Sequence, residues 1–275
     1  MTLPPVVKWS GSKRAVARRL HSLWPPPRPG ARYFEPFVGG GTLLPARPAA
    51  AAVAGDTVAE LIALWVAIRD EPGRVAAHYE HLWHRRQREG HAVYYEVRER
   101  FNRERGALDL LYLSRTCVNG LIRFNASGAF NNSLHHTRPG IHPARLGAIV
   151  LAWSRALAGV DFVAADYRAT LAGVRAGDFV FLDPPYAGTR GRYHPGPFDR
   201  AALHAELARL NSVGAAWILT FDGAAGDRRY DAPLPPSLYR ERLEVATGNS
   251  PFTRLMSSAR DAVTEVVYLN FRRDG

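Results

Sequence analysis

Four residues in the second half of the chain, Asp183-Pro184-Pro185-Tyr186, combine an acid, a rigid kink and an aromatic ring. They follow Phe179-Val180-Phe181-Leu182, an apolar run that predicts a fully buried strand. Two prolines cannot continue a central strand, so the chain turns there and carries the acid and the ring to the strand's carboxyl end. In open α/β sheets that edge binds ligands. The plainer alternative is a proline-rich strand exit with Asp183 capping the next element.

A second set lies near the start. The chain has only two lysines, Lys8 and Lys13, against 34 arginines, and both fall in Lys8-Trp9-Ser10-Gly11-Ser12-Lys13. A chain that otherwise uses arginine calls here for a compact ammonium in place of a planar fork, which marks the hexapeptide as functional. Tyr33-Phe34-Glu35-Pro36-Phe37-Val38-Gly39-Gly40-Gly41-Thr42 then runs a short strand into three glycines. Such a turn lets a backbone approach a ligand closely and frees the amides that follow. It is not the dinucleotide fingerprint, since G-x-G-x-x-G is absent. Two further strand-like runs end in acids, at Asp56 and Asp166. An acid after the second strand of such a unit often grips a ribose, and it can equally cap the next helix. In a parallel sheet these acids, Asp183 and the glycine turn share one edge and outline a nucleoside-binding cleft.

The elements that position them alternate. Strands are expected over 50–56, 160–166, 179–182 and 215–222, with a closing pair at 242–247 and 265–271. Helices are expected over 12–23, 144–158 and 199–210. This alternation argues for a doubly wound sheet. Between Asp56 and Arg145 helical periodicity dominates, over 58–68, 74–88, 93–103 and 108–115, which suggests an inserted helical unit. It closes with Asn119-Gly120-Leu121-Ile122-Arg123-Phe124-Asn125-Ala126-Ser127-Gly128-Ala129-Phe130, whose Ser127-Gly128 turn between two phenylalanines suggests a hairpin. Asparagine, arginine and aromatic side chains there suit base reading or stacking, or simply a surface turn.

Charge points the same way. With 36 Lys and Arg against 25 Asp and Glu, the net charge is +11, and no acid occurs from Leu110 to Val160 while Arg115, Arg123, Arg138, Arg145 and Arg155 do. A solvated face mixes both signs; an acid-free run of this length fits a polyanion-facing surface. Cys117 is the sole cysteine, which excludes an internal disulfide and a cysteine-ligated zinc cluster, and a cytoplasmic location is expected. Its surroundings suit packing rather than nucleophilic chemistry, and His135-His136 suits a basic surface rather than a metal site. No stretch reads as a membrane span or a secretory leader.

Taken in order, the blocks Lys8 to Lys13, Phe34 to Gly41 and Asp183 to Tyr186 resemble the Dam-type (D12 class) DNA N6-adenine methyltransferases, and Asn119 to Asn125 is similar to that family's target-recognition hairpin. The resemblance implies a class I methyltransferase fold: a Rossmann-like, mostly parallel, doubly wound sheet with an inserted, mainly helical target-recognition domain ending in a β-hairpin. Residues 1–56 and 146–275 would form the catalytic domain and 57–145 the recognition domain. It implies S-adenosylmethionine as methyl donor and duplex DNA as partner. Trp9, Lys13, Glu35, Pro36, Phe37, Gly39, Gly40, Gly41 and Asp56 match cofactor-binding positions, Asp166 the acid near the cofactor's adenine, and Asp183, Pro184, Pro185 and Tyr186 the target-base site, with Asp183 also facing the cofactor. Lys8, Leu121 and Arg123 correspond to base contacts, and Arg115, Asn119, Asn125 and Ser133 join them as candidate DNA-binding residues. Val118 stands where close relatives carry an aromatic wedge, and Ser133 where a proline is expected.

The implied chemistry suits these residue types. Adenine's exocyclic nitrogen is a poor nucleophile because its lone pair is delocalised into the ring. Asp183 and the Pro184 carbonyl, accepting hydrogen bonds from the amino group, favour a pyramidal nitrogen aimed at the sulfonium methyl. Positioning supplies several kcal/mol, with ~7–11 as the outer range. No metal is called for, a monomer suffices, and a companion restriction system is compatible. Two rivals keep part of this reading: an RNA or protein-glutamine methyltransferase on the same fold, disfavoured by the acid-free stretch and by Asp at 183, and a DNA-binding protein with a vestigial cleft, which predicts damage in the cleft motifs.

Overall fold

The computed structural model describes residues 3–185, 198–225, 228–229, 233–249 and 262–273. Strands β1 (Tyr33–Glu35), β2 (Ala52–Asp56), β3 (Val160–Ala164), β4 (Phe179–Leu182), β5 (Ala216–Ala225), β7 (Glu241–Asn249) and β8 (Ala262–Leu269) form one sheet in the order β3-β2-β1-β4-β5-β8-β7, and the short β6 (Arg228–Arg229) pairs with β5 off this path. The first five strands in this order are parallel; β8 runs antiparallel to both β5 and β7. The chain therefore winds outward from β1 in both directions, and the β1/β4 boundary is the topological switch where such sheets open a crevice.

Strand alternation sorts the core into two layers. Phe179 and Phe181 of β4 face one cluster and Val180 and Leu182 the other; Ile218 of β5 is divided in the same way from Trp217 and Leu219. This two-faced burial explains why β4 reads as an unbroken apolar run. On one face pack α1 (Ala17–His21), α2 (Ala59–Asp70), α3 (Pro72–Glu89), α4 (Ala92–Glu104), α5 (Ala107–Thr116) and α6 (Pro143–Ala156). On the other pack α7 (Tyr167–Leu171) and α8 (Arg200–Ser212). The apolar stripes of α2 to α5 join the sheet's own core without a break.

Two segments differ in detail from the periodicity. The helix expected over 12–23 is a single 3-10 turn (Lys13–Ala15) followed by α1, with Val16 between them at φ −111°, ψ −1°. Lys13, at the head of that turn, is only 6% exposed and points into the fold. The stretch around Ser127-Gly128 doubles back through one isolated antiparallel bridge, Phe124 to Phe130, without forming strands. Its turn is held by Asn125, whose Oδ1 accepts from Ser127 Oγ (2.7 Å) and the Ala129 amide (2.9 Å).

Candidate active site

The strand order strings the acids along the carboxyl edge of the sheet: Asp166 after β3, Asp56 ending β2, Glu35 ending β1 and Asp183 directly after β4. Asp56 Oδ2 accepts from the Gly39 amide and Oδ1 from the Val58 amide, both at 3.1 Å, so one carboxylate ties the glycine turn to the start of α2. Burial raises its pKa, and the backbone donors oppose that shift. An ionised carboxylate offers about four acceptor positions, so capacity for a diol remains.

The glycine turn is a cradle shaped by tryptophans. Gly39 lies at φ 43°, where a side chain is strained, and a Cβ there would sit 2.9 Å from Trp9 Cδ1. Trp65 Nε1 donates to the Gly39 carbonyl at 3.0 Å. Ser12 Oγ and Thr42 Oγ1, 3.0 Å apart, link the N-terminal loop to the far side of the turn. Phe37 stacks on Tyr167 (5.4 Å, 29°) beside Phe198, placing an aromatic cluster next to the turn. Pro36 is buried beneath this loop.

Asp183 is held closely. Its Oδ1 accepts from Thr220 Oγ1 on β5 at 2.8 Å and lies 3.0 Å from Lys13 Nζ. The same ammonium is 2.9 Å from Glu265 Oε1 on β8. Among the described residues Oδ2 accepts no hydrogen bond. Burial raises the Asp183 pKa, Lys13 pulls it down, Glu265 pushes it up, and Thr220 stabilises the charged form. Pro184 is buried and Pro185 exposed; Tyr186 lies outside the described residues.

Glu35 is 4% exposed and accepts from the Tyr33 hydroxyl at 2.9 Å. Burial pushes its carboxyl up to about 8, the Tyr33 hydrogen bond opposes this, and the Asp183 charge adds to it. A carboxyl raised above its ordinary value near 4.5 holds its proton in the folded chain after the unfolded chain has lost it. Its contribution to stability is therefore complete at low pH and declines as pH rises from about 4.5 to about 8. Glu35→Gln removes this decline. Thermal melts from about pH 5 to about pH 9 should show a smaller fall in Tm for the variant than for the parent. An equal fall would place the titration elsewhere.

Asp166 meets a different fate. It caps α7, its Oδ1 accepting from the Arg168 amide at 3.0 Å, and it pairs with Arg168 Nε at 2.8 Å while 43% exposed. It stands at the same edge, next to Asp56, with its carboxylate turned to the helix start. Thr220, Glu265 and Tyr33 were not among the residues expected at the site. A buried hydroxyl within an apolar strand was the available signal for Thr220, which is 0% exposed. Glu265 gives none, since it meets Lys13 across 252 positions.

The expected DNA-side residues converge in part. Lys8 lies against the loop after α5: Gly120 is at φ 65°, and a Cβ there would come within 2.8 Å of Lys8 Cβ. Asn119, at φ 56°, Arg123, Asn125 and Ser133 are exposed around it, with Leu121 half-buried. Val118 and Ser133, the two departures from the family pattern, are direct neighbours, the Val118 amide donating to the Ser133 carbonyl at 2.8 Å. The unexpected organiser is Asn132, 8% exposed, whose Nδ2 donates to Val118 and Leu121 carbonyls at 2.9 Å. Arg115 is turned inward, away from this surface. It is 9% exposed, and its guanidinium donates to the Val6 carbonyl (2.6 Å) and to the Pro5 carbonyl, so it anchors the N-terminal segment instead of facing a polyanion. Cys117 is 2% exposed, and burial pushes its thiol up to about 11, which fits packing.

Elsewhere, a cleft of about 500 Å³ opens at the opposite, amino end of β1, β4 and β5, bordered by Arg28, Arg32, Arg240 and Arg272, and includes none of these acids. Among the described residues no cluster of three or more His, Cys, Asp or Glu could hold a metal ion, and no helix is long and apolar enough to cross a membrane.

Comparison with known proteins matches residues 9–195 to the family described as D12 class N6 adenine-specific DNA methyltransferase. The retron Ec67 DNA adenine methylase of Escherichia coli is 29% identical over 244 residues, covering 86% of this chain and 80% of its own. The type II methyltransferase M1.LlaDCHI of Lactococcus lactis subsp. cremoris is 25% identical over 293 residues, 98% of this chain and 96% of its own. A DNA adenine methylase of Serratia marcescens is 30% identical over 220 residues, 75% and 78% of the two chains. The family match spans well over half of the sequence and includes the glycine turn and the Asp183 loop, so this chain belongs to the D12 class of N6 adenine-specific DNA methyltransferases and carries out site-specific adenine methylation of DNA.

Proposed function

We propose that methyl transfer takes place at the β1/β4 switch point, with Asp183 and the Pro184 carbonyl receiving the target adenine's amino group and Glu35 to Gly41 and Asp56 holding the methyl donor. The observation that carries this is Asp183 itself. It is fixed through one oxygen, the other accepts nothing among the described residues, and it lies beside the glycine cradle.

S-adenosylmethionine supplies an electrophilic methyl group on a positively charged sulfur. The donor set fits it: Asp56 suits ribose hydroxyls, the glycine turn presents bare backbone packed directly on Trp9, and Phe37 with Tyr167 offers a flat apolar wall. A carboxylate row with Lys13 set between Asp183 and Glu265 favours a cation at its centre. Asp183 orients N6 so that its lone pair forms the new nitrogen–carbon bond as the carbon–sulfur bond breaks, and the nitrogen then gives up one proton to solvent water. Pro184 and Pro185 keep the loop from relaxing away, and Tyr186 follows them in sequence as the ring to stack on the base.

Within one continuous core, we assign residues 1–56 and 146–275 to the donor and the transfer, and residues 57–145 to choosing the DNA site. Lys8, Asn119, Leu121, Arg123, Asn125 and Ser133 form the reading surface on double-stranded DNA. Extruding a base costs on the order of a few kcal/mol, which phosphate contacts from the acid-free region offset. The protein acts as a cytoplasmic monomer, and a paired restriction enzyme is compatible with this reading.

Sequencing N6-methyladenine positions in DNA treated with the protein and S-adenosylmethionine tests it. Modification confined to one short motif is expected; scattered modification would remove the reading surface from the proposal. Arg123 donates through Nε to Asn131 Oδ1 at 3.0 Å, and the side chain is otherwise exposed. Arg123→Ala should cost about 1–3 kcal/mol of discrimination at one base pair, seen as methylation spreading to sites altered there. An unchanged motif would exclude Arg123 from base reading.

A further inference from the structure

The two residues that the motifs do not include, Thr220 and Glu265, come from the strands beyond Asp183 and converge on it. Leu182 of β4 is in register with Leu219 of β5, which sets Thr220 beside Asp183. On the far side of β5, Thr220 opposes Val267 of β8 and Gly223 opposes Glu265, so two residues of β5, Phe221 and Asp222, face the single Val266 of β8. Such a bulge bends the strand locally and re-aims side chains, and it lies at the edge where Glu265 reaches Lys13. The result is a chain of contacts from Glu265 Oε1 to Lys13 Nζ (2.9 Å), then to Asp183 Oδ1 (3.0 Å), which Thr220 Oγ1 approaches at 2.8 Å. Lys13 and Thr220 are 6% and 0% exposed, so neither has much freedom to leave.

We propose that Thr220 and Glu265 are positioning residues for methyl transfer: Thr220 and Lys13 clamp Oδ1 of Asp183, Glu265 keeps Lys13 in that clamp, and Oδ2 is thereby presented to the amino group of the target base. The proposal rests on the assignment of Asp183 above. Carboxylate orientation matters because an unclamped Asp183 rotates about its Cβ–Cγ bond and loses the alignment on which the rate depends. The ammonium also offsets two of the acids gathered here, which would otherwise repel one another. The groups facing Asp183 are Lys13 from the N-terminal loop, Glu35 from β1, Thr220 from β5 and Glu265 through Lys13 from β8. Thr220 donates to the ionised form, so its loss moves the acid limb of the rate profile to higher pH.

The test compares Thr220→Val, Thr220→Ser, Glu265→Gln and Asp183→Ala in single-turnover methyl transfer, with calorimetric binding of S-adenosylmethionine, DNA binding and melting temperature measured alongside. Thr220→Val and Glu265→Gln should each slow transfer by about 10- to 100-fold, the cost of a small misplacement, with both binding constants within about threefold of the parent. Thr220→Ser should recover most of the rate, and only Thr220→Val should shift the acid limb upward. A rate loss that merely tracks lost binding or a lowered melting temperature would make both residues structural and overturn the proposal. Full rates with an unshifted limb, alongside an inactive Asp183→Ala, would overturn it while leaving the Asp183 assignment standing. An active Asp183→Ala would remove that assignment and the clamp together.

Discussion

Asp183→Ala is expected to bind duplex DNA and the methyl donor and yet to transfer methyl groups on the order of 10²- to 10³-fold more slowly, the range seen when one preorganised polar group is taken from a reacting centre. The size follows from where the side chain sits. Asp183 is the first residue past β4 at the switch point, fixed through Oδ1 by Thr220 and Lys13. In the proposed assignment DNA affinity comes from Lys8 and the loop after α5, which the substitution does not touch, and the donor is held chiefly from Asp56 and the glycine turn. A tritium-transfer assay at saturating DNA and donor separates the outcomes: a fall in kcat at unchanged KM supports a role in the chemical step, while a rise in KM alone would make Asp183 a binding residue. Full activity would remove the residue from the mechanism.

Asp183→Asn sharpens the point. It preserves shape and one acceptor oxygen but removes the charge that faces Lys13. Burial already disfavours that charge, so a carboxylate kept here against its desolvation cost points to a need for the ionised acceptor. The asparagine protein should retain more activity than the alanine one and lose the acid limb of its pH profile. If both limbs survive, the group that titrates in the profile is another, and Glu35 is the neighbour to examine first.

Much of this site was legible because its parts are local. The strand before Asp183 announces itself as a four-residue apolar run, since both faces are buried. The glycine turn is legible because positive φ at Gly39 and contact with Trp9 leave little alternative to glycine. The charges were harder to read. Composition gives the sign of a side chain and not the direction it faces, so Arg115 and Arg123 look alike in an acid-free run, yet one is buried and the other exposed. Likewise Asp56 and Asp166 both end strands, but Arg168, two residues on, draws Asp166 into a cap. Glu265 becomes intelligible only when the last strands place it beside Lys13, a matter of sheet register that no window of sequence encodes.

Arg115 supplies the second large effect, because the two roles its charge allows give opposite results. As a phosphate contact its removal would lower the slope of log affinity against log salt by about 0.9 and leave stability alone. The structure gives it a different task. Its guanidinium donates to the carbonyls of Pro5 and Val6, while Trp153 Nε1 holds the Pro4 carbonyl at 2.7 Å, so α5 and α6 grip the segment leading into Lys8, Trp9 and Lys13. Burial pushes Arg115 down to about 10, which leaves it charged at neutral pH. Hydrogen bonds from a buried charge are each worth about 1.5–3 kcal/mol, so Arg115→Met, which fills the space and leaves both carbonyls unpaired, should cost about 3–5 kcal/mol. In a chain of this size that lowers Tm on the order of 10 °C. The salt slope should stay that of the parent, and Arg123→Ala serves as the exposed control, with an unchanged melt and altered site preference. Transfer should also slow, because a loosened segment lets Lys13 drift from Asp183 and Trp9 from the glycine turn. A normal melt with a reduced salt slope would return Arg115 to the DNA surface and leave the N-terminal segment to be held by Trp153.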